Sequence, residues 1–343
     1  MSKLRLPAEW EPQSGVMLTW PHACTDWCDC LHEAQQCFVS IAREVVKREP
    51  LLVVTPEPEV VKSQLLEASV AVDNVFFFEC PTNDTWARDH AFLSLIDEQD
   101  RHIVADFCFN GWGLKFAADK DNQINYRLAQ TNLLGKVFYS DNRDVVLEGG
   151  SIESDGKGTL LTTSECLLSV NRNNFASAAE AEQMLRARLG VERVLWLNDG
   201  YLAGDDTDSH IDTLVRLCPD DTIVYVQCTD KADEHYDSLA RMEQQLMQLK
   251  TADGKPYRLL PLPMADAVYF DGERLPATYA NFLIMNEAVL MPTYAQAEND
   301  ARAMAVLAEA FPDREIVGID CRVLIRQHGS LHCVTMQFPK ITK

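Results

Sequence analysis

Hydrophobic runs and breakers recur along this 343-residue chain in a single order, two strands, a helix and a strand, and that recurrence constrains the fold more than any other feature. Residues 86–96 and 103–109 read as strands, 122–134 as a helix and 136–139 as a strand. The next unit has strands at 145–154 and 159–163, joined by Asp155-Gly156-Lys157-Gly158, a hairpin signal rich in residues that tolerate positive φ. Its helix spans 178–189 and its closing strand 194–197. The order returns at 210–217, 222–227, 234–249 and 257–262, and again at 279–285, 288–293, 300–311 and 315–319. A last strand, 331–337, has no helix after it; the N-terminus supplies the missing parts with a strand at 15–20, a helix at 31–47 and a strand at 51–55. A helix near 58–68 and a strand at 75–78 are extra.

If the last strand pairs near the first, the chain makes five units closed in a ring, an α/β single domain over 1–343 with no exposed sheet edge. Asp89, Glu148, His210 with Asp212, and Cys333 each fall at or near the leading strand of a different unit, roughly 60 residues apart. Leading strands of a ring converge, so these residues are expected to share a central pocket.

Composition fits a folded, soluble chain, with 47% hydrophobic and 24% charged residues. No apolar run approaches the roughly 20 residues that span a bilayer. The start, Met1 to Pro7, leads into Glu9 and Glu11 instead of an apolar stretch, so secretion and a membrane are not expected. A formal charge of −21 argues against a nucleic-acid partner and suits a small cation, although it also serves solubility alone. Eleven cysteines without framework spacing suggest reduced thiols, hence the cytoplasm. The group His22, Cys24, Cys28, Cys30 and His32 lacks a paired knuckle and reads as a loop with buried thiols, not as zinc. The chain leaves its oligomeric state open, a homo-oligomer included.

In Gly329-Ser330-Leu331-His332-Cys333 a cysteine sits on a short apolar strand after a glycine turn, where a nucleophile can be presented. Its company suits a guanidinium, a planar and poorly electrophilic cation that must be held flat. Asp89 and Asp212 would accept its N–H groups in forks; without a cation, one of the two would take a proton. Cys333 would attack the central carbon as thiolate, and His210, oriented and raised in pKa by Glu148, would move protons. The scheme calls for no metal and no cofactor. Trp86 and Trp112 are candidates to line the pocket and stack on the cation. Asp205-Asp206-Thr207-Asp208 lacks the glycine and glutamate of a calcium loop and reads as a second acidic function or solvated loop.

These residues carry a resemblance. Thr85-Trp86-Ala87-Arg88-Asp89, Leu147-Glu148-Gly149-Gly150-Ser151-Ile152-Glu153, the stretch from Gly204 to Asp212, and His328-Gly329-Ser330-Leu331-His332-Cys333 look like the motifs of agmatine deiminases, which belong with the bacterial peptidylarginine-deiminase-like proteins. Pro7-Ala8-Glu9-Trp10-Glu11-Pro12 and Pro292-Thr293-Tyr294 extend the likeness over nearly the whole chain. Many members have Gly-Gly-Gly-Asn-Ile-His-Cys where this chain has residues 327–333; the nucleophile's position is kept. The resemblance implies a five-unit ββαβ propeller with Cys333 as nucleophile, His210 and Glu148 handling protons and Asp89 and Asp212 on the guanidinium. It also implies hydrolysis of agmatine to N-carbamoylputrescine and ammonia on a route to putrescine.

Three other readings stay open: a deiminase of free or peptidyl arginine, with Arg88 or Arg172 for the carboxylate; a thiol hydrolase of acyl bonds; and a ring-shaped polyamine-binding protein without turnover. The acyl hydrolase gains nothing from carboxylates opposite its nucleophile, where negative charge develops.

Overall fold

The middle strands of the sheets are apolar on both faces, which happens when helices and neighbouring units cover both sides. Leu51–Thr55 and Thr159–Thr163 are buried at every position, and Thr222–Gln227 and Ala288–Thr293 at all but the last. In the computed structural model, which describes residues 3–341, these strands organise five mixed sheets, named I to V here. Met1 and Ser2, the first residues of the N-terminal stretch considered above, lie outside the described residues. No described helix is long and apolar enough to cross a membrane.

Sheets III, IV and V share one plan. A leading strand (Ile152–Ser154, Val215–Cys218, Leu283–Met285) runs antiparallel to the middle strand, which runs parallel to a closing strand (Arg193–Leu197, Arg258–Pro263, Glu315–Asp320). Helices Ala178–Leu189, Tyr236–Gln248 and Ala297–Ala310 make the parallel crossovers. Sheet II repeats this with Leu93–Asp97, His102–Cys108 and Val137–Val146, and Leu4–Arg5 adds an antiparallel edge. Sheet I joins the two ends of the chain: Thr335–Pro339 is antiparallel to Gln13–Thr19, which is parallel to Leu51–Thr55, which is parallel to Val75–Glu79. The extra helix Pro58–Glu67 and strand Val75–Glu79 are therefore a second crossover added to sheet I.

Helix Leu31–Val46 buries Ala34, Cys37, Phe38, Ile41, Ala42 and Val45, a stripe at helical spacing. The expected helix at 122–134 is shorter, a 3-10 turn Asp121–Gln123 and helix Ile124–Ala129. Thr131 ends it by turning its hydroxyl back to the Leu128 carbonyl at 2.7 Å.

One systematic difference from the sequence reading matters most. The leading strands start later than expected, and a turn precedes each. Ala87–His90, Gly149–Ser151 and Ile211–Thr213 are short helical turns, and 278–282 and 331–334 are not strand. Cys333 is thus on a turn and not on a strand. At this end the backbone of one unit bonds across to another instead of along a ladder. Arg88 N donates to the Cys333 carbonyl at 3.1 Å, and His332 N to the Asn281 carbonyl at 3.1 Å.

Candidate active site

The five turns bring together the residues that the sequence set apart. Gly150 shows how tightly: a methyl group there would lie 2.7 Å from His210 Nδ1, 2.8 Å from Asp89 Oδ1 and 3.2 Å from Asp212 Oδ2. Only glycine leaves room, and its N–H donates to Asp89 Oδ1 at 3.0 Å. Cys333, Asp89, Trp86 and Trp112 line a cavity of about 400 Å³. His210, Glu148 and Asp212 are buried and lie behind its lining.

The thiol of Cys333 donates to Asn281 Oδ1 at 3.3 Å, and the same oxygen accepts the His332 N–H at 2.9 Å. Burial, then the charges of Asp212 and Asp89, push the thiol far above its usual range, so it is protonated in the empty site. The two carboxylates differ. Burial raises Asp89 well above the ordinary carboxylate range, reinforced by Asp212 and Glu148. Burial also opposes ionisation of Asp212, but the hydrogen bond from His332, with the charges of His332, His210 and Arg216, brings it below its usual value. One carboxyl of the pair therefore holds a proton, and it is Asp89.

His210 Nδ1 lies 3.6 Å from Asp89 Oδ1 and Nε2 lies 3.9 Å from Glu148 Oε2, near both carboxylates but hydrogen-bonded to neither. The expected rise in its pKa is reversed: burial takes it down to about 3, and Arg172 and Lys115 oppose the help of Asp212 and Asp208. Glu148 turns instead to Arg172 Nε, 3.1 Å away, and Arg172 continues to Asp208 and to the Thr207 carbonyl. Glu148, Cys166 and His210 offer ligand atoms within 4.8 Å of one another. The guanidinium already on Glu148 opposes a second cation there, and we assign no metal to the trio.

Trp112 has left-handed φ and ψ of 54° and 49°, between two glycines that also have positive φ. This strained loop delivers its indole N–H to Asp89 Oδ2 at 2.9 Å. Trp86 meets Trp112 edge-on at 6.3 Å and packs so closely on Gly329 that a methyl group there would come within 2.0 Å of its ring.

Other expectations are corrected. Cys24 and Cys28 are exposed and Cys30 is half-buried, because they lie on the surface approach to helix Leu31–Val46. The acidic run 205–208 is not simply solvated: Asp205 accepts from Thr207 Oγ1 at 2.6 Å and Ser209 N at 2.8 Å, shaping the turn that leads to His210. Asp208 pairs with Arg172 and Lys115.

Sequence reasoning assigned no role to Asn281, His332, Glu9 or Arg216. Arg216 is fully buried on leading strand Val215–Cys218, where its guanidinium meets Glu153, Glu9 and the carbonyls of Ala280 and Phe282. An arginine between apolar neighbours was the available signal for Arg216. Glu9 and His332 stood inside segments already singled out. Asn281 gave none.

The family model for Porphyromonas-type peptidyl-arginine deiminase matches residues 5–339. A candidate arginine deiminase from Porphyromonas gingivalis shares 52% identity over 98% of this chain and 99% of its own, with a TM-score of 0.92. A cysteine-to-serine variant of C. jejuni agmatine deiminase with substrate bound is 36% identical, covers 99% of this chain and 97% of its own, and has a TM-score of 0.90. A relative from Legionella pneumophila (strain Paris), a candidate agmatine deiminase, is 33% identical over 98% of this chain and 96% of its own. The chain is an enzyme and belongs to the Porphyromonas-type peptidyl-arginine deiminase family.

Proposed function

We propose that this protein hydrolyses agmatine to N-carbamoylputrescine and ammonia through a covalent amidino-thioether on Cys333. One observation carries the reading: two carboxylates, Asp89 and Asp212, are buried beside one thiol, and Asp212 Oδ1 is buried without a hydrogen-bond partner. A planar cation relieves that arrangement. It would donate N–H bonds to both carboxylates, let Asp89 ionise, and lower the Cys333 pKa at the moment its carbon is in reach.

The thiolate then adds to the guanidinium carbon. His210, neutral when the site is empty, takes the Cys333 proton as the thiolate forms and passes it to the departing amine, which leaves as ammonia, while the proton that Asp89 gives up on binding the cation leaves to solvent. Water next attacks the amidino carbon and gives a proton to His210; the C–S bond breaks, and the thiolate recovers its proton. Burial raises the Glu148 pKa and Arg172 opposes that rise, and a Glu148 carboxylate held in this way favours the protonated form of His210 in transit. Trp86 and Trp112 flank the cation.

Against arginine, Arg172 is occupied by Glu148 and Asp208, and Arg88 is buried and does not line the cavity. The wall carries Asp84 and Asp206, suited to a second positive end. A deiminase of free or peptidyl arginine would rest on Lys120, also on that wall. We further infer that the five sheets stand as blades of one closed propeller, which the pairing of the chain ends and the contacts of Arg216 support. A cytoplasmic setting on a route to putrescine is supported by eleven free cysteines.

The deciding experiment is ammonia release from agmatine, arginine or an arginine peptide by wild type and Cys333→Ala. Turnover of agmatine alone, lost in the variant while agmatine still binds, is expected. Turnover of arginine alone would replace the substrate, and binding without turnover in the wild type would leave a polyamine-binding protein.

A further inference from the structure

Building on the proposed function, we propose that His332 is a positioning residue: held between Glu9 and Asp212, it anchors one oxygen of Asp212 and leaves the other for the guanidinium. Its Nδ1–H donates to Asp212 Oδ2 at 2.7 Å, while Nε2 lies 2.8 Å from Glu9 Oε2 and 3.1 Å from Arg216 Nη2. The imidazole has little freedom to turn. Glu9 is fixed by Arg216 Nη2 and by Ile284 N, each at 2.7 Å, and Arg216 is fixed by Glu153 and the Ala280 carbonyl. Asn281 holds the backbone N–H of His332.

The other carboxylate of the site is held differently and keeps no open oxygen. Asp89 already accepts from Gly150 N and Trp112 Nε1, one bond on each oxygen. Asp212 Oδ1 has no partner and is the acceptor left for a substrate N–H. An anchored, ionised carboxylate with one open oxygen fits a cation in a single orientation, and a free one would cost rotamer entropy on every binding event. The charged or titratable groups facing Asp212 are His332, His210, Arg216, Arg88, Asp89 and Cys333. Of these, only His332 hydrogen-bonds its carboxylate.

The test compares His332→Asn, His332→Gln and His332→Leu. Asparagine carries an amide N–H near the place of Nδ1 and can still reach Asp212; glutamine carries it near Nε2 and reaches Glu9 instead. With agmatine, kcat/KM is expected to stay within about fivefold of wild type in His332→Asn and to fall about 10- to 100-fold in His332→Gln and His332→Leu. In the last two the acid limb of the kcat/KM profile should move to higher pH, because Asp212 without its donor accepts a proton more readily. A loss that is equal in Asn and Gln, or equal at every pH, would mean that His332 is only structural and would overturn the proposal. The Asn and Gln pair decides the matter even if the leucine variant does not fold. A second readout needs no turnover: the rate of Cys333 alkylation by cationic 2-chloroacetamidine relative to neutral 2-chloroacetamide. Preference for the cation should drop in His332→Gln and His332→Leu. If wild type shows the preference but does not turn over agmatine, the substrate is wrong and the role of His332 stands; if the preference is the same in wild type and His332→Leu, the role falls.

Discussion

Two clusters of buried charge adjoin each other in this protein, and they are built on opposite rules. Around Arg216, the oxygens of Glu9 and Glu153 are used by a guanidinium, a backbone N–H or His332, and the ions compensate one another. Around Cys333 the groups are close but unreconciled: His210 Nε2 and Asp212 Oδ1 have no partner, and Asp89 and Cys333 are both protonated by burial and repulsion. The first cluster is completed by the protein itself. The second is completed by something the protein does not contain, and misplaced charge of that kind marks a site.

The sharpest way to break the comparison is to remove the centre of the satisfied cluster. Arg216→Met leaves Glu9 and Glu153 buried against an apolar side chain, and a loss of about 3 to 5 kcal/mol in urea unfolding is expected. Loss of activity there should follow loss of fold.

Buried histidines, His210 in the unreconciled cluster and His90 outside it, should instead reveal themselves through pH. His210 and His90 are both carried by burial down to about 3. A base whose folded pKa is lowered leaves stability intact above its unfolded pKa near 6.5, and stability falls as pH drops from there toward 3. Each fully buried histidine contributes on the order of 3 kcal/mol of destabilisation by pH 4. Carboxyls that burial raises to about 7, such as Glu49, Asp84 and Asp121, gain stability over the same fall in pH, so the histidine contribution is read as a difference in unfolding midpoints: between pH 7.5 and pH 4.5 wild type should lose stability relative to His90→Leu.

Within the site, stability and activity should separate. Asp89→Asn removes a carboxyl that is already neutral in the empty protein, keeps an acceptor for Gly150 and loses the bond from Trp112. A change in stability within about 1 kcal/mol is expected, with a drop in kcat/KM of about 100-fold, since the variant cannot offer charge to the cation. Gly150→Ala is gentler in chemistry but pushes a methyl group between His210, Asp89 and Asp212, so kcat/KM should fall about tenfold or more with a destabilisation of about 1 to 3 kcal/mol.

What could be read in advance follows from the same contrast. Helix Ala178–Leu189 was expected at its observed bounds because both ends are local: Ser177 caps Glu180 N, and Gly190 at φ 71° stops the last turn. Leu51–Thr55, Thr159–Thr163 and Thr222–Gln227 were equally legible as short runs of apolar and β-branched residues. The turns ahead of the leading strands were not, because their hydrogen bonds go to other units, as Arg88 N to the Cys333 carbonyl does. The same holds in the site. Single residues such as Asp89 and His210 could be nominated by type, and the structure does gather them. The lowered pKa of His210, the pairing of Glu148 with Arg172 and the place of Asn281 depend on who is next to whom across five sheets, and no spacing in the chain encodes that.

The smallest expected effect tests whether unsatisfied burial alone identifies a functional group. His90 is as buried as His210, and neither of its ring nitrogens has a hydrogen-bond partner. It differs in company: its ring lies against Phe109, 6.3 Å between centroids, and burial is the dominant cause of its lowered pKa, with no charged neighbour among the causes. On the argument above, perturbation without charged neighbours is packing and not chemistry. His90→Leu at pH 7.5, where the imidazole is neutral, replaces an unpaired N–H with a side chain of similar volume. Stability should change by about 1 kcal/mol or less, in either direction, and kcat/KM should stay within about twofold of wild type. A tenfold loss of activity in a well-folded His90→Leu variant would show that the site extends to His90 and that charged company is the wrong criterion for dividing the two clusters.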